Sequence, residues 1–300
     1  MVSKLKMKFL SCNITQSFQL IFGIKFYSSS VASTSKLCPW KIYLFLFEIS
    51  GSYKSAINLK KQNPKLKVML AIGGWNEGGK KYSAMAQTST SRGKFVESVV
   101  DFLSEHNFDG FDLDWEYPGA QDRDGGWNDK ENFANLVEEL YKAFKPHKWL
   151  LSAAVSPAKF RVNDGYNVAK ISKYLNFINV MTYDLHGSWD KAADHHAPLN
   201  KRDHDDWDPL TTDSGISYWH KKGAPLRKLL LGTPFYGRSF TLTGGSTRPG
   251  ASSSGEGGTP GKYTEEAGFL SYFEICLLKK EGGWTDATDS DGNPYMYKVK

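Results

Sequence analysis

The segment Phe108-Asp-Gly-Phe-Asp-Leu-Asp-Trp-Glu-Tyr-Pro118 decides how this chain is read. With the two-residue period of a strand, Asp112, Asp114 and Glu116 fall on one face, and Phe111, Leu113 and Trp115 on the other. Asp109 stands on the opposite parity from the three acids. Same-face neighbours in a strand lie roughly 7 Å apart, so the three carboxyl groups form a row. A run of charge is usually a solvated face. Here Phe108, Trp115 and Tyr117 predict burial, Asp109-Gly110 gives a tight approach, and Pro118 stops the strand. Carboxylates crowded in a poorly hydrated cavity do not all ionise, so one should hold a proton near neutral pH. Glu116, last in the row, is the expected acid.

Outward from this segment, strand and helix patterns alternate. Residues 67–75, Lys-Val-Met-Leu-Ala-Ile-Gly-Gly-Trp, form a continuous apolar run of the kind covered on both faces in a parallel sheet. Residues 149–155, 177–184 and 228–236 read as further strands. Helical spacing marks residues 91–106, with Ser91 placed to cap them, and residues 130–144, where Phe133, Leu136, Val137 and Leu140 share a side. Shorter helical stretches fall at 55–62 and 216–222, and a polar loop at 119–128. This repetition predicts a parallel α/β barrel with its site at the C-terminal ends of the strands, where Trp75, Glu116, Tyr183, Asp184 and Tyr236 all fall.

Composition allows such a fold: 300 residues, 40% of them hydrophobic and 14% aromatic, suffice for a sizeable core. The net charge of +6 is spread along the chain, which predicts neither a nucleic-acid arm nor a membrane patch. No apolar run reaches the length of a membrane span. The three cysteines, Cys12, Cys38 and Cys276, fit no metal-ligand spacing. His195-His196 and His204 lack companions at a spacing that completes a metal site, and no metal or other cofactor is implied. Residues 289–293, Asp-Ser-Asp-Gly-Asn, lack the spacing and terminal Glu of a calcium loop and read as a hairpin turn.

The run Asp109-Gly-Phe-Asp-Leu-Asp-Trp-Glu116 resembles the Asp-x-x-Asp-x-Asp-x-Glu signature of family 18 glycoside hydrolases, the chitinases. The surrounding chain looks most like the arthropod chitinases. Residues 38–45, Cys-Pro-Trp-Lys-Ile-Tyr-Leu-Phe, resemble the family's second strand, and Gly73-Gly-Trp75 its sugar-stacking segment. After Cys12, in a stretch 7–14 that reads as a strand, Asn13-Ile-Thr-Gln departs from the family's first strand.

The resemblance implies a (β/α)8 TIM-type barrel, incomplete in this chain. An atypical N-terminal segment occupies 1–36, barrel strands two to seven occupy 37–240, and a truncated α+β insertion follows the seventh strand over 241–300. The eighth strand is expected beyond residue 300. Secretion is implied by the family alone, since the apolar patch at 18–22 is interrupted by polar residues and makes a poor leader. In an extracellular protein the sequon Asn13-Ile-Thr15 becomes a glycosylation site, and Cys12 and Cys38 either pair or remain thiols.

The same resemblance implies the chemistry. In this family the substrate's own 2-acetamido group replaces the second carboxylate used by most glycosidases. Glu116 would act as general acid and then base. Asp114 would orient the acetamide, Asp112 would share a proton with Asp114, and Tyr183 would hold the acetamide carbonyl. Asp184, Arg238, Met181, Tyr117 and Tyr236 carry over as substrate contacts, and Trp75 and Trp189 as stacking faces. The expected partner of a monomer is chitin or its N-acetylglucosamine oligosaccharides. A non-catalytic chitinase-like lectin, an inactive fragment, and an endo-acting enzyme on N-linked glycans are the alternatives; lectin relatives typically lose the acid that this chain keeps.

Overall fold

A computed structural model describes residues 51–202, 205 and 209–299. The strands expected at 7–14 and 38–45, the sequon, Cys12, Cys38 and His204 lie outside the described residues.

Helix α1 (Ser52–Asn58) leads to strand β1 (Met69–Gly73), helices α2 (Lys80–Ala86) and α3 (Ser89–His106), and β2 (Gly110–Asp114). Then follow α4 (Asp129–Phe144), β3 (Leu150–Val155), α5 (Lys159–Gly165), α6 (Val168–Tyr174), β4 (Phe177–Val180), α7 (Thr212–Lys221) and β5 (Leu229–Leu231). The five strands form one parallel sheet in the order β1-β2-β3-β4-β5. Each helical crossover therefore delivers the chain to the next strand along, the winding of a (β/α)8 TIM-type barrel, of which the described residues supply five adjacent strands.

Strand β2 is buried along its whole length. Its odd-numbered side chains meet the helical layer. Phe111 packs edge-on against Phe95 of α3 at 6.2 Å and Phe144 of α4 at 6.4 Å, and Trp115 packs against Phe133 at 5.9 Å and stacks on Tyr82 at 5.8 Å. Val99 and Leu103 of α3 and Leu136, Val137 and Leu140 of α4 complete this layer. The acids therefore face the barrel interior, as the parity requires.

Several boundaries differ from the sequence reading. Helix α3 is capped by Thr88, whose hydroxyl accepts from the Ser91 N–H; Ser91 returns the bond to the Thr88 N–H, as the fourth member of a capping box rather than the cap itself. Strand β1 ends at Gly73, and Trp75 opens a 3-10 turn (Trp75–Glu77). Gly73, with φ of 119°, lies so close to β2 that a Cβ would sit 2.0 Å from the Asp114 carbonyl oxygen, which also accepts from the Gly74 N–H at 2.7 Å.

Residues 177–184 and 228–236 are strands only in their first part. Gly232 packs against the Tyr183 ring and the Val180 carbonyl, and its own carbonyl accepts from the Thr182 hydroxyl at 2.7 Å. Pro234, without an N–H, cannot extend the ladder. Both segments leave the sheet there, so that Tyr183, Asp184 and Tyr236 lie past the ends of β4 and β5.

Antiparallel pairing then begins: β6 (Tyr236–Arg238) with β9 (Phe269–Ser271), and β7 (Phe240–Leu242) with β8 (Ser253–Gly257). Helix α8 (Tyr272–Glu281) and the hairpin β10 (Thr285–Thr288)–β11 (Pro294–Tyr297) follow. Residues 289–293 form the hairpin turn, closed by the Asp289 carboxylate, which accepts from the N–H groups of Asp291 and Asn293 at 3.0 and 2.8 Å. Buried Glu274 gathers this region: it accepts from the N–H groups of Tyr263, Thr264 and Ser271 at 2.7, 3.0 and 3.0 Å and from the Ser271 hydroxyl at 2.7 Å.

Phe133 is fully buried between Trp115 and Tyr166. Its truncation to Ala is expected to cost about 3–5 kcal/mol, read as a lowered urea midpoint with an unchanged slope.

Candidate active site

The row of acids is buried at the C-terminal end of β2, with Asp112 8%, Asp114 7% and Glu116 5% exposed. A carboxylate so placed needs donors from neighbouring strands. Asp112 finds them one and two strands away: the Ser152 hydroxyl of β3, its register neighbour, and the Asn179 side-chain amide of β4 at 2.9 Å both donate to Oδ1. Burial pushes the Asp112 pKa up to about 6, assisted by the negative charge of Asp114 and opposed by those two hydrogen bonds.

Phenols surround the upper acids. Tyr117 follows Glu116 through a cis peptide bond. Burial, then the charges of Glu116 and Asp114, hold the hydroxyls of Tyr117 and of buried Tyr166 well above their usual range. Tyr82 is raised likewise by burial and Asp114. Asp109, of opposite parity, serves another purpose at the far end of the strand. It pairs with Lys60 at 2.8 Å and Lys67 at 3.4 Å and accepts from the Val68 N–H at 2.9 Å, joining α1's descent to β1 and β2.

A second group gathers above β4 and β5. Arg238 donates through Nε to Asp184 Oδ1 at 2.8 Å, and its guanidinium lies 5.2, 5.3 and 5.6 Å from the ring centres of Trp189, Phe269 and Tyr236. Burial would raise the Asp184 pKa, but His196 beside it and the hydrogen bond and charge of Arg238 overcome it and hold the carboxyl far below its usual range. Asp184 adopts a left-handed φ of 55°, and its N–H donates to His196 Nδ1 at 3.3 Å. Tyr183 and Tyr236 meet edge-on at 6.2 Å. Met181 is buried, its N–H donating to the Val155 carbonyl at 2.9 Å.

Trp189 and Trp75 stay 58% and 53% exposed, as platforms for a flat ligand require. Trp75 is stacked on one side by the Arg123 guanidinium, 3.7 Å from the ring centre.

Some of these groups escaped the sequence reading. Ser152 and Asn179 carried a signal, being lone polar residues inside apolar strands. His196 sits beside Asp184, and its neighbour His195 pairs through Nε2 with Asp289 Oδ2 at 2.9 Å, linking the hairpin turn to the barrel loop. Arg123, Tyr82 and Tyr166 carried no signal. Among the described residues no group of three or more His, Cys, Asp or Glu side chains is arranged to hold a metal ion.

Because the folded pKa of Asp112 exceeds its ordinary 3.8, protonation favours the folded state. Its contribution to stability is full below about pH 4 and is lost as pH rises through about 6. At about 1.4 kcal/mol per pH unit, the loss is no more than about 3 kcal/mol. Asp112→Asn, neutral at every pH, should remove it. The melting-temperature difference, parent minus variant, is expected to fall between pH 4 and 7 and then level; a flat difference would refute this.

Comparison with known proteins gives these side chains a context. The family described as glycosyl hydrolases family 18 matches residues 7–300. An endochitinase of Manduca sexta is 45% identical over 259 residues, 83% of this chain and 47% of that protein. The chain spans 47% of the length of that endochitinase and 54% of the length of a probable chitinase 2 of Drosophila melanogaster. The crystal structure of Ostrinia furnacalis Group IV chitinase superimposes with a TM-score of 0.80 at 38% identity, covering 84% of this chain and 70% of that one. Human YKL-39, described as a pseudo-chitinase with retained chitooligosaccharide binding, superimposes with a TM-score of 0.75 at 37% identity, covering 87% and 70%. By this match, which spans nearly all its residues, the chain belongs to glycosyl hydrolase family 18.

Proposed function

We propose that this chain hydrolyses β-1,4 linkages between N-acetylglucosamine residues in chitin, with retention at the anomeric carbon. The observation that carries the reading is the buried file Asp112, Asp114, Glu116, the first two on the inner face of β2 and the third just past its end, complete and provided with donors at its base. Family membership supports the substrate-assisted route over a two-carboxylate one.

In this reading Glu116 protonates the glycosidic oxygen as the bond from C1 to that oxygen breaks. The acetamide oxygen of the same sugar bonds to C1 and gives an oxazolinium ion. Asp114 accepts a hydrogen bond from the acetamide N–H and offsets the positive charge, while Asp112 below it exchanges a proton with Asp114. Tyr183 holds the acetamide carbonyl in line. Glu116, now a carboxylate, takes a proton from water as that water attacks C1 and opens the ring, so two inversions restore configuration.

Trp75 and Trp189 offer ring faces to the sugars, and Tyr117, Met181, Asp184, Tyr236 and Arg238 line the path. An extracellular monomer, a barrel over residues 37–240 and an insertion over 241–300 forming a cleft wall complete the proposal. No helix among the described residues is long and apolar enough to cross a membrane.

A second reading, binding without cleavage, is favoured by the similarity to human YKL-39. Incubating the protein and Glu116→Gln with chitin oligosaccharides separates the two. The parent should cleave; the variant should bind with turnover reduced at least about 100-fold. Binding without turnover by both proteins would establish the second reading. A substrate carrying a free amine in place of the N-acetyl group at the cleaved sugar should resist hydrolysis; continued cleavage there would remove the substrate-assisted route.

A further inference from the structure

An arginine between two aspartates in a Gly-rich polar loop, Asp122-Arg123-Asp124, is ordinarily a solvated surface group. Here both its backbone and its side chain are held. The Arg123 N–H donates to the Ala120 carbonyl at 2.9 Å, and the Arg123 carbonyl accepts from the Gly79 N–H at 2.9 Å. The approach is so close that a Cβ on Gly79 would sit 2.3 Å from that carbonyl oxygen.

The loop is anchored on three sides. Asp129 Oδ2, at the start of α4, accepts from the Ser83 hydroxyl at 2.6 Å, the Gly126 N–H at 2.6 Å and the Gly119 N–H at 3.1 Å. Asp122 receives both arms of the Arg161 guanidinium at 2.6 Å. The loop after β2 is thereby fixed to α2, α4 and α5.

From that backbone the guanidinium reaches back over Trp75. It lies 3.7 Å from the ring centre, Nη2 donates to the Trp75 carbonyl, and Nε makes a long hydrogen bond of 3.4 Å to the Glu116 carbonyl. An indole has two faces. One is covered by Arg123, yet half the residue stays exposed, so the other remains open.

Resting on the reading of this cleft as a chitooligosaccharide site, we propose that Arg123 is a positioning residue. It occupies one face of Trp75, commits the other to the sugar, and ties that platform to the main chain of the acid Glu116. A planar cation with donors in a rigid fork can stack on the ring and bond both carbonyls at once; an ammonium cannot. Flattening Trp75 in advance should favour saccharide binding and leave the proton transfers unchanged.

A double-mutant cycle tests this. With an N-acetylglucosamine hexasaccharide, Arg123→Ala and Arg123→Lys should each raise KM by about three- to ten-fold with kcat kept within about two-fold. In a Trp75→Ala background, Arg123→Ala should change KM by less than about two-fold, because the platform is already gone. A role in folding alone would lower thermal midpoints and active fraction without this dependence on Trp75.

Multiplying effects, an unchanged KM in Arg123→Ala, recovery by Lys, or a loss confined to kcat would each overturn the inference. If the parent binds the saccharide without cleaving it, the hydrolase reading fails and the same cycle is read in Kd with the same expected ratios. If the parent neither binds nor cleaves, both fall.

Discussion

The structure depends on one strand being buried on both faces by opposite kinds of neighbour. The outward face of β2 is satisfied by contact alone, since Phe111 and Leu113 need only shape and area from α3 and α4. The inward face is not. A buried carboxylate without donors is costly, so β3 and β4 must each place a polar residue at the right height, and Ser152 and Asn179 interrupt two otherwise apolar strands to do so. The register of three strands is therefore set by a hydrogen-bonding requirement at Asp112 as well as by apolar packing. A slip of one residue would turn Ser152 into the helical layer and Asp112 away from both donors.

How much of this was legible in the sequence follows from the range of each signal. Parity along β2 and the helical spacing of α3 and α4 are local, and they place the acids and the core correctly. Strand ends are tertiary: β4 and β5 stop early because Gly232 wedges between Tyr183 and Val180, a contact spanning some fifty residues of sequence. The cap of α3 was displaced because Thr88 and Ser91 are both good capping residues and exchange bonds with each other. The candidate site was legible where it belongs to a strand. It was invisible where loops bring in Arg123 or where Tyr82 and Tyr166 arrive from helical segments, because such encounters leave no periodicity.

The loops above the strands are joined to each other more firmly than their composition suggests. Gly79 bonds to the carbonyl of Arg123, Ser83 bonds to Asp129, and Gly119 has a carbon position that Asp164 would block if it bore a side chain. A Gly-rich, polar segment of this kind is usually read as mobile. Here the glycines permit close backbone approaches, and the polar side chains are consumed by named partners. Above β4 and β5, the charges of Asp184 and Arg238 do the same, with His196 beside them.

Glu274 carries one further implication. Burial alone would raise its pKa, but four donated hydrogen bonds bring it down to about 2. What it contributes to folding is fully present above the ordinary carboxylate range and disappears only as pH drops through about 2. Asp112 gains its proton near pH 6. In mildly sour surroundings, then, burial drives the Asp112 carboxyl towards its neutral form while Glu274 keeps the charge that its four donors favour.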